Sequence, residues 1–168
     1  SLFYLQCAKV LQYPDLAARL GEELAKKCHG LGKKISVVLS PAVGGLILGH
    51  EVARPLSARC LFAEREKSSG LFSLRRGFQL KRGDEVLLVD DVLTTGGSLR
   101  ELAQLAAAAG AKVAGIASLA ERGSHVVDFA VPRRTLIKLD FEDYAPADCP
   151  ACRNRLPLEK PGSKPEAS

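Results

Sequence analysis

Val86-Leu-Leu-Val-Asp90-Asp91-Val-Leu-Thr94-Thr95-Gly96-Gly97-Ser98 is the stretch that decides the fold class of this chain. It opens with four branched apolar residues, suited to a strand buried on both faces. Two adjacent carboxylates follow. A polar loop, read here as Asp90 to Gly97, then enters an apolar segment, Ser98 to Ala109, that reads as a helix stopped by Gly110. Buried strand, short loop and helix in that order form half of a β-α-β unit, which places the chain in the α/β class. The loop has chemistry of its own. Gly96 and Gly97 let backbone N–H groups approach a ligand with no Cβ in the way. Thr94, Thr95 and Ser98 add hydroxyls, and a helix N-terminus favours an anion. Two acids beside such a cradle suit a sugar phosphate, with carboxylates to the hydroxyls and amides to the phosphate. They would also draw in hydrated Mg2+. Neither Gly-x-x-x-x-Gly-Lys-Ser/Thr nor Gly-x-Gly-x-x-Gly occurs, which excludes the P-loop and the dinucleotide fingerprint. Ser98 and Glu101 also fit a capping box.

Working outward, the same alternation repeats. Asp15 to Cys28 reads as a helix, with Leu16, Leu20, Leu24 and Cys28 on one face, stopped at His29-Gly30. Ile35 to Leu39 is a buried strand and Ser40 to Gly45 a loop. Leu46 to Arg54 is a helix ended by Pro55, and Ala58 to Glu64 a further strand. Arg65 to Leu74 has no periodicity and reads as a mobile loop. Phe78 to Leu80, Glu85 to Val89, Lys112 to Ala120 and Thr135 to Leu139 complete the strands. The expected architecture is a doubly wound, mostly parallel sheet with helices on both faces. Ligands bind such sheets at the carboxyl ends of the strands.

The chain has 168 residues, 46% hydrophobic and 26% charged, the proportions of one globular domain. No apolar run approaches the roughly 18 residues of a membrane span. The net charge of +5 is concentrated. Residues 64–82 hold six basic against two acidic residues, and the tail from Arg153 onward four against two. Aromatics are 5% of the chain and the basic cluster sits in a loop, unlike the interleaved basic and aromatic face of a nucleic-acid binder. A loop that meets a small anionic ligand fits better. Five cysteines, three of them among apolar neighbours, argue against a disulfide framework and for a reducing, cytoplasmic location. Cys149 and Cys152 form a C-x-x-C. Zinc needs four ligands, and His29, His50 and His125 are scattered. Residues 1–145 form the expected domain, and 146–168 a partly disordered tail.

Val86 to Ser98 resembles the phosphoribosyl-diphosphate (PRPP) motif of type I phosphoribosyltransferases. The rest of the chain is similar to the orotate phosphoribosyltransferases. Tyr4 to Pro14, Ser40 to Gly49, Phe62 to Glu66, Leu74 to Phe78 and Cys149 to Cys152 carry that similarity by their order and spacing. The resemblance implies the type I fold and a Mg2+-dependent transfer of ribose 5-phosphate from PRPP to N1 of orotate, with release of diphosphate, in pyrimidine (UMP) biosynthesis. A purine phosphoribosyltransferase and a PRPP-sensing regulator are the alternatives.

The resemblance also implies roles. Asp90 and Asp91 would bind the ribose hydroxyls, with Asp91 also catalytic, and Val92 and Leu93 would lead into the site. Thr94, Thr95, Gly96, Gly97 and Ser98 would wrap the 5-phosphate. Ala42, Val43 and Gly44 would hold the pyrophosphate by backbone amides. Some relatives have a non-proline cis peptide in that loop, here at Ala42–Val43. Arg65 would bind pyrophosphate, and Lys67 would be the cation on the leaving group, with Arg75 and Arg76 as substitutes. Thr94 and Arg122 would bind orotate, since guanidinium meets a carboxylate bidentately. Mg2+ would come mainly with PRPP, held by Asp90 and Asp91 through water. A homodimer is implied, its loop 65–76 closing over the neighbouring site. A helix and a strand precede the Tyr4 stretch in the family. Only Ser1 to Phe3 stand before it here, so the expectation is a trimmed chain or one lacking part of the base lid.

Overall fold

A computed structural model describes residues 4–32, 34–123, 127–140, 144–145, 147–154 and 156. Six strands form one sheet in the order β3-β2-β1-β4-β5-β6. They are β1 (Val37–Pro41), β2 (Arg59–Arg65), β3 (Phe72–Leu74), β4 (Glu85–Leu93), β5 (Lys112–Arg122) and β6 (Arg133–Leu139). All neighbouring pairs are parallel except β2 and β3. The helices are α1 (Ala8–Leu11), α2 (Pro14–Cys28), α3 (Leu46–Leu56), α4 (Gly97–Ala108) and α5 (Pro150–Arg153).

Alternation along the central strands divides the core. Val38, Leu87 and Val89 face one side with Leu24, Leu48 and Val52 of α2 and α3. Val37, Leu39, Val86 and Leu88 face the other with Leu99, Leu102 and Ala106 of α4. Each fully buried Leu or Val contributes roughly 1.5–3 kcal/mol, and both faces are covered, as a parallel sheet requires. The order of the sheet reverses between β1 and β4, so the loops after those strands diverge and leave a crevice.

The doubly wound class is as expected, and several local expectations are corrected. The buried face of α2 is Ala17, Gly21, Leu24, Ala25 and Cys28, while Leu16 is exposed. A strict four-residue spacing drifts around a 3.6-residue helix, so Leu16 and Cys28 cannot share a face. α1 was not anticipated. β1 starts two residues later than the apolar run and continues through Pro41. α3 runs past Pro55 to Leu56 and closes where Ser57 adopts a left-handed φ of 50°. The third strand is Phe72–Leu74, antiparallel to β2, and Phe78 to Leu80 is not a strand. The loop is therefore a hairpin, closed by the Glu66 N–H on the Leu71 carbonyl at 2.9 Å. β4 extends to Leu93, so both acids lie within a strand. α4 begins at Gly97 after a Gly96 cap with no side-chain capping bond, so the capping box does not form.

α2 meets α3 at Gly21, where an added Cβ would stand 2.6 Å from the Glu51 backbone carbon. Gly21→Leu should therefore cost about 1–3 kcal/mol by overpacking, beyond the roughly 1 kcal/mol regained in helix propensity. Thermal unfolding should show a Tm several degrees lower, and an unchanged Tm would contradict this packing.

Candidate active site

Two clefts open at the carboxyl end of β4, one toward the end of β2 and the other toward the end of β5. The first, about 290 Å3, is lined by Arg65, Asp90, Val92, Leu93, Thr94 to Ser98 and Glu101. The second, about 150 Å3, is lined by Tyr4, Leu5, Gln6, Asp91, Val92, Thr94 and Arg122. Val92 and Thr94 line both, and the acid pair divides them, Asp90 in the first and Asp91 in the second.

The pair is held tightly. Asp90 accepts the Asp91 N–H at 2.9 Å, and Asp91 accepts the Val92 N–H at 2.8 Å. Burial, and next the charge of Asp91, push the Asp90 carboxyl up to about 8, against the pull of the Asp91 N–H. Cys7 is buried close enough to feel both acids. Burial, then Asp91, then Asp90, push its thiol up to about 12.

The loop between β4 and α4 is shaped by one glycine. Gly96 has φ 84°, and a Cβ there would stand 2.7 Å from the Phe129 ring. That backbone turn precedes α4, whose first free N–H groups open on the first cleft. The chain after β5 returns over it, with the Val127 N–H on the Thr95 carbonyl at 3.1 Å. The turn after β1, which lines neither cleft, contains the cis peptide Ala42–Val43. Val43 is exposed, and a Cβ on Gly44 would lie 3.1 Å from an Asp91 carboxylate oxygen. The Ala42–Gly44 turn thus stands beside the acid pair.

Arg65, at the end of β2, is fixed from several sides. Its guanidinium meets the two Glu101 oxygens at 3.1 and 3.2 Å, reaches the Gly70 carbonyl at 2.5 Å and lies 4.0 Å over the Phe72 ring. Lys67 is exposed in the hairpin turn and lines neither cleft of its own chain. Arg76 is bonded to Glu64 at 2.8 and 3.2 Å, while Arg75 is exposed. His50 faces solvent against Glu51 and lines neither cleft. His125 lies outside the described residues.

Of the expected site residues, the structure gathers Arg65, Asp90, Asp91, Val92, Leu93, Thr94 to Ser98, Arg122 and the 42–44 turn, and leaves Lys67 apart. Sequence reasoning passed over Glu101 as a cap residue, although its place one turn into the helix after the loop was a signal. Phe129 and Tyr4 to Gln6 reach the site through the tertiary fold, and no local pattern marks them.

A strand-borne acid pair stands between a glycine-bearing loop at a helix N-terminus and a cleft lined by Arg122. The family model described as phosphoribosyl transferase domain matches residues 10–129. The chain is 48% identical over 163 residues to the orotate phosphoribosyltransferase of Thermotoga maritima, covering 96% of this chain and 84% of that protein. It is 45% identical over 161 residues to the orotate phosphoribosyltransferase of Caldanaerobacter subterraneus, covering 96% and 83%. This chain belongs to the phosphoribosyltransferase family and, within it, to the orotate phosphoribosyltransferases. The fold is shared with crystal structures. Orotate phosphoribosyltransferase from Aeropyrum pernix superposes with TM-score 0.71 at 22% identity, covering 83% of this chain and 80% of that one. Adenine phosphoribosyltransferase from Thermoanaerobacter pseudethanolicus gives 0.69 at 22% identity, covering 81% and 88%.

The raised Asp90 has a consequence for stability. A carboxyl whose folded pKa lies above its unfolded value of roughly 4 stabilises the fold below that value and loses the contribution as pH rises through the folded pKa. Asp90→Asn cannot ionise. Its Tm advantage over the parent chain should grow from about pH 5 to about pH 8, measured by thermal melts without ligand. An advantage independent of pH would show that Asp90 is not held protonated in the free protein.

Proposed function

We propose that this chain transfers the 5-phosphoribosyl group of PRPP to N1 of orotate and releases diphosphate. The observation that carries this reading is the acid pair shared between two clefts. A phosphate seated on Thr94 to Ser98 and a base seated against Arg122 would place the ribose over Asp90 and Asp91. Their carboxylates accept hydrogen bonds from its hydroxyls. Thr94 and Arg122 hold the base, Arg122 by its carboxylate. The backbone of Ala42 to Gly44, with Arg65, faces the pyrophosphate.

Breaking the bond at C1 leaves positive charge on the sugar and negative charge on the leaving group. Asp91 lies nearest the first, and Arg65 and Lys67 answer the second. The donor set suits Mg2+. Two carboxylates are too few for an all-protein cage, and Mg2+ binds through one or two carboxylates plus substrate phosphates. Bound with PRPP, it would neutralise pyrophosphate oxygens, held by Asp90 and Asp91 through water. Lys67 lies outside its own chain's clefts, which supports a homodimer in which loop 65–76 completes the neighbouring site and excludes water. In this reading residues 1–145 are the catalytic domain and 146–168 a tail. Five free cysteines, and no described helix long and apolar enough to cross a membrane, support a cytoplasmic setting.

An absorbance assay with PRPP and Mg2+ should show orotate consumed, while adenine and hypoxanthine are left untouched. Consumption of a purine instead would overturn the assignment. Arg122→Ala should raise the KM for orotate by about 10- to 100-fold, the worth of a charged hydrogen-bonded pair, with the KM for PRPP little changed. Lys67→Ala should lower kcat far more than PRPP affinity, and unaltered steady-state kinetics would remove it from the reaction.

A further inference from the structure

One motif takes no part in the site just described. Cys149-Pro-Ala-Cys152 folds as the single turn α5, with Cys149 just before it in extended conformation (φ −68°, ψ 119°) and Cys152 its third residue. The turn is braced by local hydrogen bonds. The Cys149 N–H reaches the Ala145 carbonyl, the Arg153 N–H the Cys149 carbonyl and the Asn154 N–H the Pro150 carbonyl, each at 3.0 Å. The Arg153 side chain folds back to the Ala147 carbonyl at 3.3 Å and to Asp148 at 3.4 Å.

Residues three apart on a helical turn are side-chain neighbours, and here the two thiols touch. Their contact acts in opposite directions. The Cys152 N–H foremost, with the Cys152 thiol and the Ala151 N–H, holds Cys149 below the usual thiol range, while Cys149 pushes Cys152 above it. Cys152 is exposed. The other thiols contrast with this pair. Burial raises Cys7, Cys28 and Cys60, Cys28 to about 11. A metal would need further ligands, and no group of three or more His, Cys, Asp or Glu among the described residues could supply them.

We propose that Cys149 and Cys152 form a reversible dithiol–disulfide site whose partner is a small external disulfide of the glutathione type. Cys152 gives its proton to solvent and attacks one sulfur of the external disulfide. That S–S bond breaks, and one external thiol leaves. Cys149 then gives its proton to solvent and attacks the Cys152 sulfur, and the mixed disulfide breaks with release of the second external thiol, each leaving thiolate taking a proton from solvent. Two protein thiols are oxidised and one external disulfide is reduced to two thiols.

The test incubates the folded full chain with glutathione disulfide, traps remaining thiols by alkylation in denaturant and weighs the intact protein. The expected result is loss of two alkylatable thiols with no retained glutathione, mapped to the peptide joining Cys149 and Cys152 and reversed by reduced glutathione. Cys149→Ser should stop at one stable glutathione adduct on Cys152, and neither Cys149→Ser nor Cys152→Ser should form the internal bond. The proposal falls if the parent chain keeps glutathione on Cys152, if both thiols stay alkylatable, or if the purified protein carries stoichiometric zinc on them. It falls equally if the urea-unfolded chain closes the bond as fast as the folded one, because the braced turn would then contribute nothing. Orotate turnover has no part in these readouts, so the site and the transferase reading stand or fall separately.

Discussion

The carboxyl end of the sheet depends on one constraint, the continued pairing of β4 with β5 beyond the buried core. That pairing holds Asp90 opposite Ser118, Val92 opposite Ala120 and Leu93 opposite Glu121. Successive side chains of a strand point to opposite faces. Two adjacent acids on a paired strand must therefore diverge, and Asp90 lines one cleft while Asp91 lines the other. In a free loop the same two residues would have no fixed relation. The division of the site into two clefts is thus a property of strand geometry, set by hydrogen bonds within the sheet.

The cost of that arrangement is electrostatic. Two carboxylates share a poorly solvated rim, with the buried Cys7 thiol close enough to feel both. Burial and the neighbouring charge keep Asp90 protonated far above the ordinary carboxylate range. Sugar hydroxyls and a hydrated cation are the partners that would relieve such a pair, one by donating hydrogen bonds and the other by supplying charge. The opposite polarity is built across the cleft, where α4 presents its N-terminus and Gly96 and Phe129 fix the loop that leads to it. A ligand that is anionic at one end and rich in hydroxyls next to it meets both demands.

The fold class was legible because both core faces alternate along short strands and the glycines punctuate them. The PRPP-type motif was legible because its residues are contiguous. What escaped was set by contacts across the chain. Nothing in Phe72-Ser-Leu74 marks a strand more strongly than Phe78 to Leu80, and the choice follows from Ala63, Glu64 and Arg65 offering an edge to pair with. Ser98 and Glu101 have capping-box spacing, but Gly96 turns the chain so that Glu101 faces Arg65 instead. On α2, Leu24 and Cys28 are buried and Leu20 packs against the core as read, while the drift of a four-residue spacing leaves Leu16 exposed, and the small residues Ala17 and Gly21 complete the contact. The second cleft draws on Tyr4 and Arg122, residues more than a hundred positions apart, which only the folded chain brings together.

The concentrated positive charge also reads differently in three dimensions. Most of the arginines around the hairpin are already matched: Arg65 to Glu101, Arg76 to Glu64 and Arg59 to Asp84. Their cations are spent in placing the hairpin against α4 and the sheet edge, and such exposed pairs contribute little stability singly. Lys67 and Arg75 make no ion pair with a described residue. A leaving pyrophosphate needs charge that is not committed elsewhere, and it needs that charge to arrive late, when the bond breaks, rather than to bind the ground state. In the proposed homodimer, a lysine on an exposed turn beyond an arginine anchored by Glu101 and Phe72 would meet both conditions at the neighbouring site. Arg65 fixes where the hairpin stands, and the turn beyond it leaves Lys67 exposed.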